Sequence, residues 1–257
     1  MAIGRLIKRF VEANRRASHG LRDRNPSFFG NPSYRLELLR RVREDIERTG
    51  LPVLEAGGID RPMLPRSPDY TYHGLDIEEQ ERCHEVYDAF VVQSIEEPLP
   101  RTYGTIFSMT LLEHVPDNDR SAASMFAALE PGGGTFHYVP GKGHPYALIL
   151  RLVGPTWQRR LLGALRTEDE ARVSGYPTFF HRCTARQMQR LFERSGFEQV
   201  EVVPYYRAND YFAFLTPLYV AVTAFENLCR GAGLSYFASG FVLSARRPAP
   251  AESGTDR

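Results

Sequence analysis

Val53-Leu54-Glu55-Ala56-Gly57-Gly58 is the strongest local signal in this chain of 257 residues. An apolar strand that carries one acid, Glu55, ends here in two adjacent glycines. Glycines at the end of a strand allow a ligand to approach the backbone closely. A tight structural turn explains the pair nearly as well, so the surrounding pattern has to separate these two interpretations.

Short apolar strands alternate with helices on the C-terminal side of this stretch, which is typical of a parallel sheet covered on both faces. Helices are predicted at 2–17, 34–49 and 184–195. We predict seven strands, at 52–56, 71–77, 89–95, 105–110, 134–139, 198–203 and 240–246. The pattern predicts one α/β domain over 1–247, with N-terminal helices in 1–50 and a disordered tail over 248–257.

Composition argues against several classes of protein. Lys and Arg total 32 against 31 Asp and Glu, so the net charge of +1 creates no general attraction for polyanions, and we expect no nucleic-acid partner. Cys83, Cys183 and Cys229 lack C-x-x-C spacing, so no metal site is predicted. The N-terminus lacks a secretory pattern and no apolar run is long enough to span a membrane, so we expect a cytoplasmic location.

Asp76 strengthens the ligand-binding interpretation of the two glycines. It ends the second predicted strand, Tyr72-His73-Gly74-Leu75-Asp76, and the carboxyl ends of neighbouring parallel strands share one edge of a sheet. A carboxylate there can accept hydrogen bonds from two neighbouring hydroxyls, as a ribose presents them. The alternative is that Asp76 caps a helix beginning at Ile77.

Three further tracts carry a resemblance to a known family. Ile106-Phe107-Ser108-Met109-Thr110-Leu111-Leu112-Glu113-His114-Val115-Pro116-Asp117 resembles the fourth-strand motif of class I S-adenosylmethionine-dependent methyltransferases, in particular those similar to methyltransferase type 11. Leu129-Glu130-Pro131-Gly132-Gly133 resembles the turn before their fifth strand, and Ser195-Gly196-Phe197 the entry to their sixth. The resemblance covers roughly 51–140 and 184–246.

The resemblance implies a Rossmann-like sheet with an antiparallel last strand and S-adenosyl-L-methionine across the strand ends. Asp76 would hold the ribose. The other residues implied to bind cofactor are Glu55, Gly57 and Gly58 in the first loop, Ser94 and Ile95 beside the adenine, and Met109 and Thr110 beside the methionine portion. The chain departs from the family at Ile59-Asp60-Arg61-Pro62, where further glycines are usual.

Residues 141–183 are predicted to form a cap over the acceptor, because loops of this length commonly act as lids. The cap includes Trp157, the only tryptophan. His137 and His144 are candidate catalytic bases near the end of the fifth strand, with a structural role as the alternative. His181, Tyr206 and Arg207 are candidate substrate residues.

These features predict methyl transfer to a small-molecule or lipid- or glycan-linked acceptor, with oxygen favoured as the methylated atom. The altered glycine loop leaves open a catalytically silent, methyltransferase-like scaffold. An NAD(P)-dependent oxidoreductase is less favoured, because G-x-G-x-x-G is absent. Residues 2–17 predict a basic amphipathic helix, which either packs on the domain edge or docks peripherally on an anionic inner membrane surface.

Overall fold

The computed structural model describes residues 2–30, 32–50, 52–145, 176–206 and 208–250. The chain forms two compact units. The helical unit comprises Met1–Ser33, Gly141–Thr167 and Pro204–Gly240, and the sheet unit comprises Tyr34–Pro140, Glu168–Val203 and Phe241–Arg257. The predicted single domain with a cap at 141–183 stays a prediction, and most of that cap, with Trp157, lies outside the described residues.

Seven strands of the described chain form one sheet in the order β3-β2-β1-β4-β5-β7-β6. Strands β1, β2, β3, β4 and β5 pair in parallel along that order. The strands are β1 (Val53–Ala56), β2 (Tyr72–Asp76), β3 (Ala89–Val92), β4 (Tyr103–Met109), β5 (Leu129–Pro140), β6 (Glu198–Tyr205) and β7 (Gly240–Arg246). The predicted seven-stranded α/β fold is therefore confirmed.

Two backbone hydrogen bonds show the direction of the last strand. The N–H of Gly132, near the start of β5, donates to the carbonyl of Arg247, just after the end of β7. The N–H of Arg247 donates in return to the carbonyl of Gly133. Because the start of one strand meets the end of the other, β7 runs antiparallel to β5, as the family resemblance implies.

The described helices are α1 (Ala2–Arg24), α2 (Pro26–Phe29), α3 (Tyr34–Thr49), α4 (Cys83–Val86), α5 (Asn118–Ala128), α6 (Ala185–Arg194) and α7 (Thr216–Gly231). Helix α3 has the predicted bounds, whereas α1 extends beyond residue 17. The hydroxyl of Thr184 accepts the N–H of Gln187 and caps α6. No described helix is both long enough and apolar enough to cross a membrane.

Helix α3 is held against the sheet by a buried carboxylate. Leu38, Val42 and Ile46 recur every four residues and form its buried face. Asp45 on the same helix is 1% exposed, and accepts hydrogen bonds from Thr105 Oγ at 2.8 Å and Arg246 Nη1 at 2.6 Å. The side chain thereby connects α3 to β7 and to the part of β4 near its start, whereas Met109 lies at the other end of β4.

The fifth strand differs from its predicted bounds. It begins at Leu129 instead of 134, and its register against β4 shifts between Tyr103 and Thr105. Gly132 within the shift has φ of +80°, a conformation that favours glycine. The expected turn before the strand is therefore a bulge inside it.

Candidate functional site

The two glycines after β1 are required for different reasons. Gly57 has φ of +84°, and its N–H donates to the carbonyl of Leu75 at the end of β2. Gly58 has an ordinary φ, but a Cβ there would collide with the hydroxyl of Tyr87 and lie 2.9 Å from Glu55 Cδ. The loop after β1 therefore needs conformational freedom at the first glycine and space at the second.

Glu55 lies beneath this loop, buried among its hydrogen-bond donors. Its Oε2 accepts the hydroxyls of Tyr72 and Tyr87 and, at 3.0 Å, the N–H of Met63. Burial raises the pKa of the carboxyl from 4.5 to about 7, against the opposing effect of these donors. Glu55 thus anchors the far end of the loop, and a direct contact of this carboxyl with a cofactor stays a prediction.

Asp76 ends β2 immediately beside Gly57. The backbone N–H of Ile77 donates to its Oδ1 at 2.7 Å, and no described side chain donates to it. Burial raises the pKa of this carboxyl, although the N–H groups of Ile77 and Glu78 act in the opposite direction. The alternative role as a helix cap is wrong, since no helix begins at Ile77. Asp76 keeps acceptor positions for ligand hydroxyls.

The end of β4 carries an unusual backbone conformation. Met109 is half-buried, and Thr110 is exposed with φ of +58°. Ile59, in the loop after β1, also has a positive φ of +45°. Left-handed conformations are uncommon for β-branched residues and concentrate at functional sites. Both outliers follow directly on strands at the same edge of the sheet.

The sheet order brings most of the predicted cofactor residues into one row. The carboxyl ends of β3, β2, β1 and β4 are consecutive, because Ala56 pairs with Leu75 on one side and Ser108 on the other. Neighbouring strands are about 4.8 Å apart, so the four ends span about 14 Å. Beyond β3, Ile95 is buried in the core and Ser94 Oγ donates to Glu96. The row suits an elongated ligand.

Residues 176–180, in the C-terminal part of the predicted cap at 141–183, contact both sides of this edge. The hydroxyl of Tyr176 donates to Glu78 Oε2 after β2 at 2.8 Å, and its ring contacts His114 after β4 edge-on. The carbonyl of Pro177 lies 3.0 Å from Nδ1 of His114. We call residues 176–180 the strap. These contacts depend on the sheet order, in which β2 and β4 lie on the two sides of β1, so they could not be predicted without that order.

Glu113 supports both the strap and His114. Its carbonyl accepts the N–H groups of Phe179 and Phe180. Its carboxyl is fully buried, and burial raises the pKa from 4.5 to about 8. Its Oε2 is buried without a hydrogen-bond partner among the described residues, and its Oε1 lies 3.6 Å from Nε2 of His114. A proton-binding pair thus stands at the end of β4.

The chain can now be compared with known proteins. Residues 27–202, more than half of the chain, match the profile of a family described as methyltransferase domain. The chain belongs to this family. The family resemblance drawn from the sequence is confirmed. No curated protein sequence matches this methyltransferase-family chain.

Solved structures agree with the fold. Phosphoethanolamine N-methyltransferase 2 of Haemonchus contortus, in complex with phosphomonomethylethanolamine and S-adenosylhomocysteine, has a TM-score of 0.50 at 14% identity, over 81% of this chain and 52% of that one. This chain therefore spans about half the length of that protein. The StiE O-MT structure has a TM-score of 0.51 at 13% identity. The match covers 84% of this chain and 74% of that one. At these identities the likeness shows the methyltransferase fold alone.

The two histidines predicted to act as bases are both buried. His137 lies in the sheet, where Nδ1 meets the hydroxyl of Ser108 at 2.8 Å and Nε2 that of Thr135 at 2.6 Å. Burial lowers its pKa to about 3. His144, in the helical unit, is 1% exposed and its Nε2 lies 3.3 Å from Glu226 Oε1. Their catalytic roles stay predictions that these surroundings do not favour.

The predicted substrate residues have different surroundings. Tyr206, in the helical unit, is buried in a cluster with Cys229 and Ala238. Arg207 lies outside the described residues. His181, in the sheet unit, is partly exposed, and its Nδ1 accepts the N–H of Asn118 at 3.0 Å. Tyr206 and His181 thus belong to different units, and the substrate roles of all three residues stay predictions.

The neighbours of His181 form a potential ligand set for a cation. Ligand atoms of Asp117, Asp119 and His181 lie within 4.8 Å of one another. Arg182 already pairs with Asp119 at 2.5 Å, and Asp117 Oδ1 caps α5 by accepting the N–H of Asp119. These contacts explain the cluster as the cap of α5, with Arg182 paired to one of its two carboxylates.

Proposed function

We propose that this chain is an active S-adenosyl-L-methionine-dependent methyltransferase that methylates an oxygen atom of a small-molecule or lipid- or glycan-linked acceptor. Membership of the methyltransferase family implies S-adenosyl-L-methionine as the cofactor. The observation that carries the proposal is the row of Gly57, Asp76 and Met109 at consecutive strand ends, with a carboxylate to which no described side chain donates.

The residues at this edge fit such a cofactor. Asp76 would accept hydrogen bonds from the ribose hydroxyls, and each hydrogen bond to a charged group contributes about 1.5–3 kcal/mol. Gly57 and Gly58 keep side-chain atoms out of the approach to β1, and Met109 and Thr110 would hold the amino-acid end. When bound, the cofactor supplies an electrophilic methyl group, and much of the acceleration comes from holding the acceptor in line with it.

His114 is a better candidate base than either buried histidine. A carbonyl oxygen only accepts hydrogen bonds, so the contact with Pro177 places the proton of the neutral imidazole on Nδ1 and leaves Nε2 as the acceptor. The side chain is 31% exposed. An acceptor hydroxyl that is methylated on oxygen gives its proton to Nε2, beside the carboxyl of Glu113.

Oxygen methylation rests on this base, because a hydroxyl acceptor gains more from proton removal than an amine or a carboxylate does. A catalytically silent scaffold remains the second candidate function. One feature favours it: Ile59 takes a left-handed conformation in the loop where related proteins usually have glycine.

The test is transfer of tritium from methyl-labelled S-adenosylmethionine to compounds in aqueous and organic extracts of bacterial cells. We expect a labelled product with the full chain, none with Asp76→Ala, and little with His114→Gln. His19→Gln is the matched control, because His19 is a partly exposed histidine of α1, in the helical unit. It should keep full activity.

Treatment of the product with alkali separates the kinds of oxygen acceptor, since a methyl ester releases methanol and a methyl ether does not. Label attached to nitrogen or carbon would contradict oxygen methylation while leaving methyl transfer intact. Cofactor binding without transfer to any extract fraction would favour the silent scaffold. Equal activity of Asp76→Ala and the unaltered chain would contradict the proposed cofactor site.

A further inference from the structure

One face of helix α1 is packed along the C-terminal half of the helix and exposed along the N-terminal half. In the C-terminal half this face packs inside the helical unit. Ser18 is fully buried and donates to the carbonyl of Ala213, Asn14 Oδ1 accepts the N–H of Thr216 at 3.0 Å, and Leu21 packs against the cluster around Phe29. Packing therefore accounts for the face over residues 14–21.

The same face continues toward the N-terminus without cover. Leu6 is 70% exposed, Ile7 58% and Phe10 55%. At 100° per residue, these three side chains fall within one stripe that leads on to Asn14, Ser18 and Leu21. Single exposed apolar residues are ordinary, but three adjacent ones on an amphipathic helix need a partner. We call residues 5–10 the amphipathic end of α1.

Basic side chains occupy the face of the helix opposite this apolar stripe. Arg5, Lys8 and Arg9 are exposed, and the first turn has no acidic residue. At 100° per residue these three side chains lie on the face of the helix opposite the apolar stripe. The first acid along the helix is Glu12. A helix that combines an apolar face with an opposite cationic face is suited to lying in the plane of a lipid interface.

We propose that the amphipathic end of α1 docks the protein on an anionic lipid bilayer, with Leu6, Ile7 and Phe10 inserted and Arg5, Lys8 and Arg9 at the headgroups. Three side chains over about two turns offer far less than the roughly 800 Å² per partner of a stable protein interface. Binding to a bilayer does not require so large an area, because insertion of apolar side chains and attraction of basic side chains to anionic headgroups both contribute to it. The docking does not depend on the enzyme's chemistry.

The experiment is flotation of the full chain with vesicles of phosphatidylcholine alone, or of phosphatidylcholine with phosphatidylglycerol. We expect binding to the second kind that weakens as salt is added. Near an anionic surface each basic side chain contributes about fivefold to the partition constant. Lys8→Gln with Arg9→Gln should therefore weaken binding about 25-fold, and Leu6→Gln, Ile7→Gln and Phe10→Gln together should abolish it.

Matched controls separate docking from general surface effects. Leu36→Gln alters a leucine of α3 that is also 70% exposed, and Arg186→Gln with Arg190→Gln removes two exposed charges from α6. These variants should bind vesicles as the unaltered chain does. Thermal unfolding should be unchanged in every variant, because all the altered side chains are exposed.

Two results would overturn the proposal. The first is equal binding of the unaltered chain to both kinds of vesicle, or binding that is unaffected by the triple glutamine variant. The second is a concentration-dependent mass in sedimentation, lost in the triple variant, without vesicle binding. The second result would make the amphipathic end an interface between copies of this chain.

Discussion

Glu55→Gln should change how stability depends on pH. Burial raises the pKa of Glu55 from 4.5 to about 7 in the folded protein. The folded state therefore binds this proton more tightly than the unfolded state does. The resulting stabilisation is fully present below pH 4.5 and is lost as the pH rises through the folded value near 7. Glutamine cannot titrate, so the variant should not show this loss.

The structure sets the size of the effect. The pKa of Glu55 rises from 4.5 to about 7 on folding. At about 1.4 kcal/mol for each pKa unit, this rise corresponds to about 3 kcal/mol of unfolding free energy. For a chain of this size that is about 6–12 °C in melting temperature. A glutamine carbonyl can still accept from Met63, Tyr72 and Tyr87, so the loop anchor should survive. Glu113 titrates in both proteins, and its contribution cancels in the comparison.

The assay is urea unfolding followed by circular dichroism at pH 5, 6, 7 and 8 and constant ionic strength. The unfolding free energy of the variant minus that of the unaltered chain should increase with pH, by about 3 kcal/mol between the lowest and highest values. Parallel profiles would show that burial does not raise this pKa. A variant that loses stability faster as pH rises would reverse the sign of the argument.

Three further changes probe the site. Gly58→Ala forces a Cβ against the hydroxyl of Tyr87, and should lower the free energy of urea unfolding by about 1–3 kcal/mol. The control Gly231→Ala adds its Cβ to open space and should not lower it. Asp76→Asn should weaken S-adenosylmethionine binding by about tenfold to a hundredfold at an unchanged melting temperature, and equal affinity would refute its ribose role. His114→Gln should lower kcat by about 10²–10⁴ with cofactor affinity unchanged; a loss confined to KM would contradict its role as base.

The strands were predictable because buried parallel strands are short apolar runs, and β1 and β2 fall within a residue or two of expectation. Gly57 and Asp76 were predictable as neighbours because parallel strands share one carboxyl edge. The positions of Ile95 and Thr110 relative to them needed the strand order, which the structure supplies.

Other features depend on contacts between residues far apart in sequence, which periodicity does not encode. His137 meets Ser108 only through the pairing of β4 with β5, so its burial could not be read from its place near a strand end. The contacts of Tyr176 and Pro177 with the ends of β2 and β4 are equally distant. Sequence reasoning therefore predicted the row of strand ends but not the contacts around His114.

The central claim is that the row of strand ends binds S-adenosyl-L-methionine. Isothermal titration of the full chain with S-adenosylmethionine, S-adenosylhomocysteine and NADH tests it most directly. We expect one site with a dissociation constant of about micromolar for both sulfur nucleosides, and no heat from NADH. No binding of either sulfur nucleoside, or binding of NADH in their place, would contradict the account.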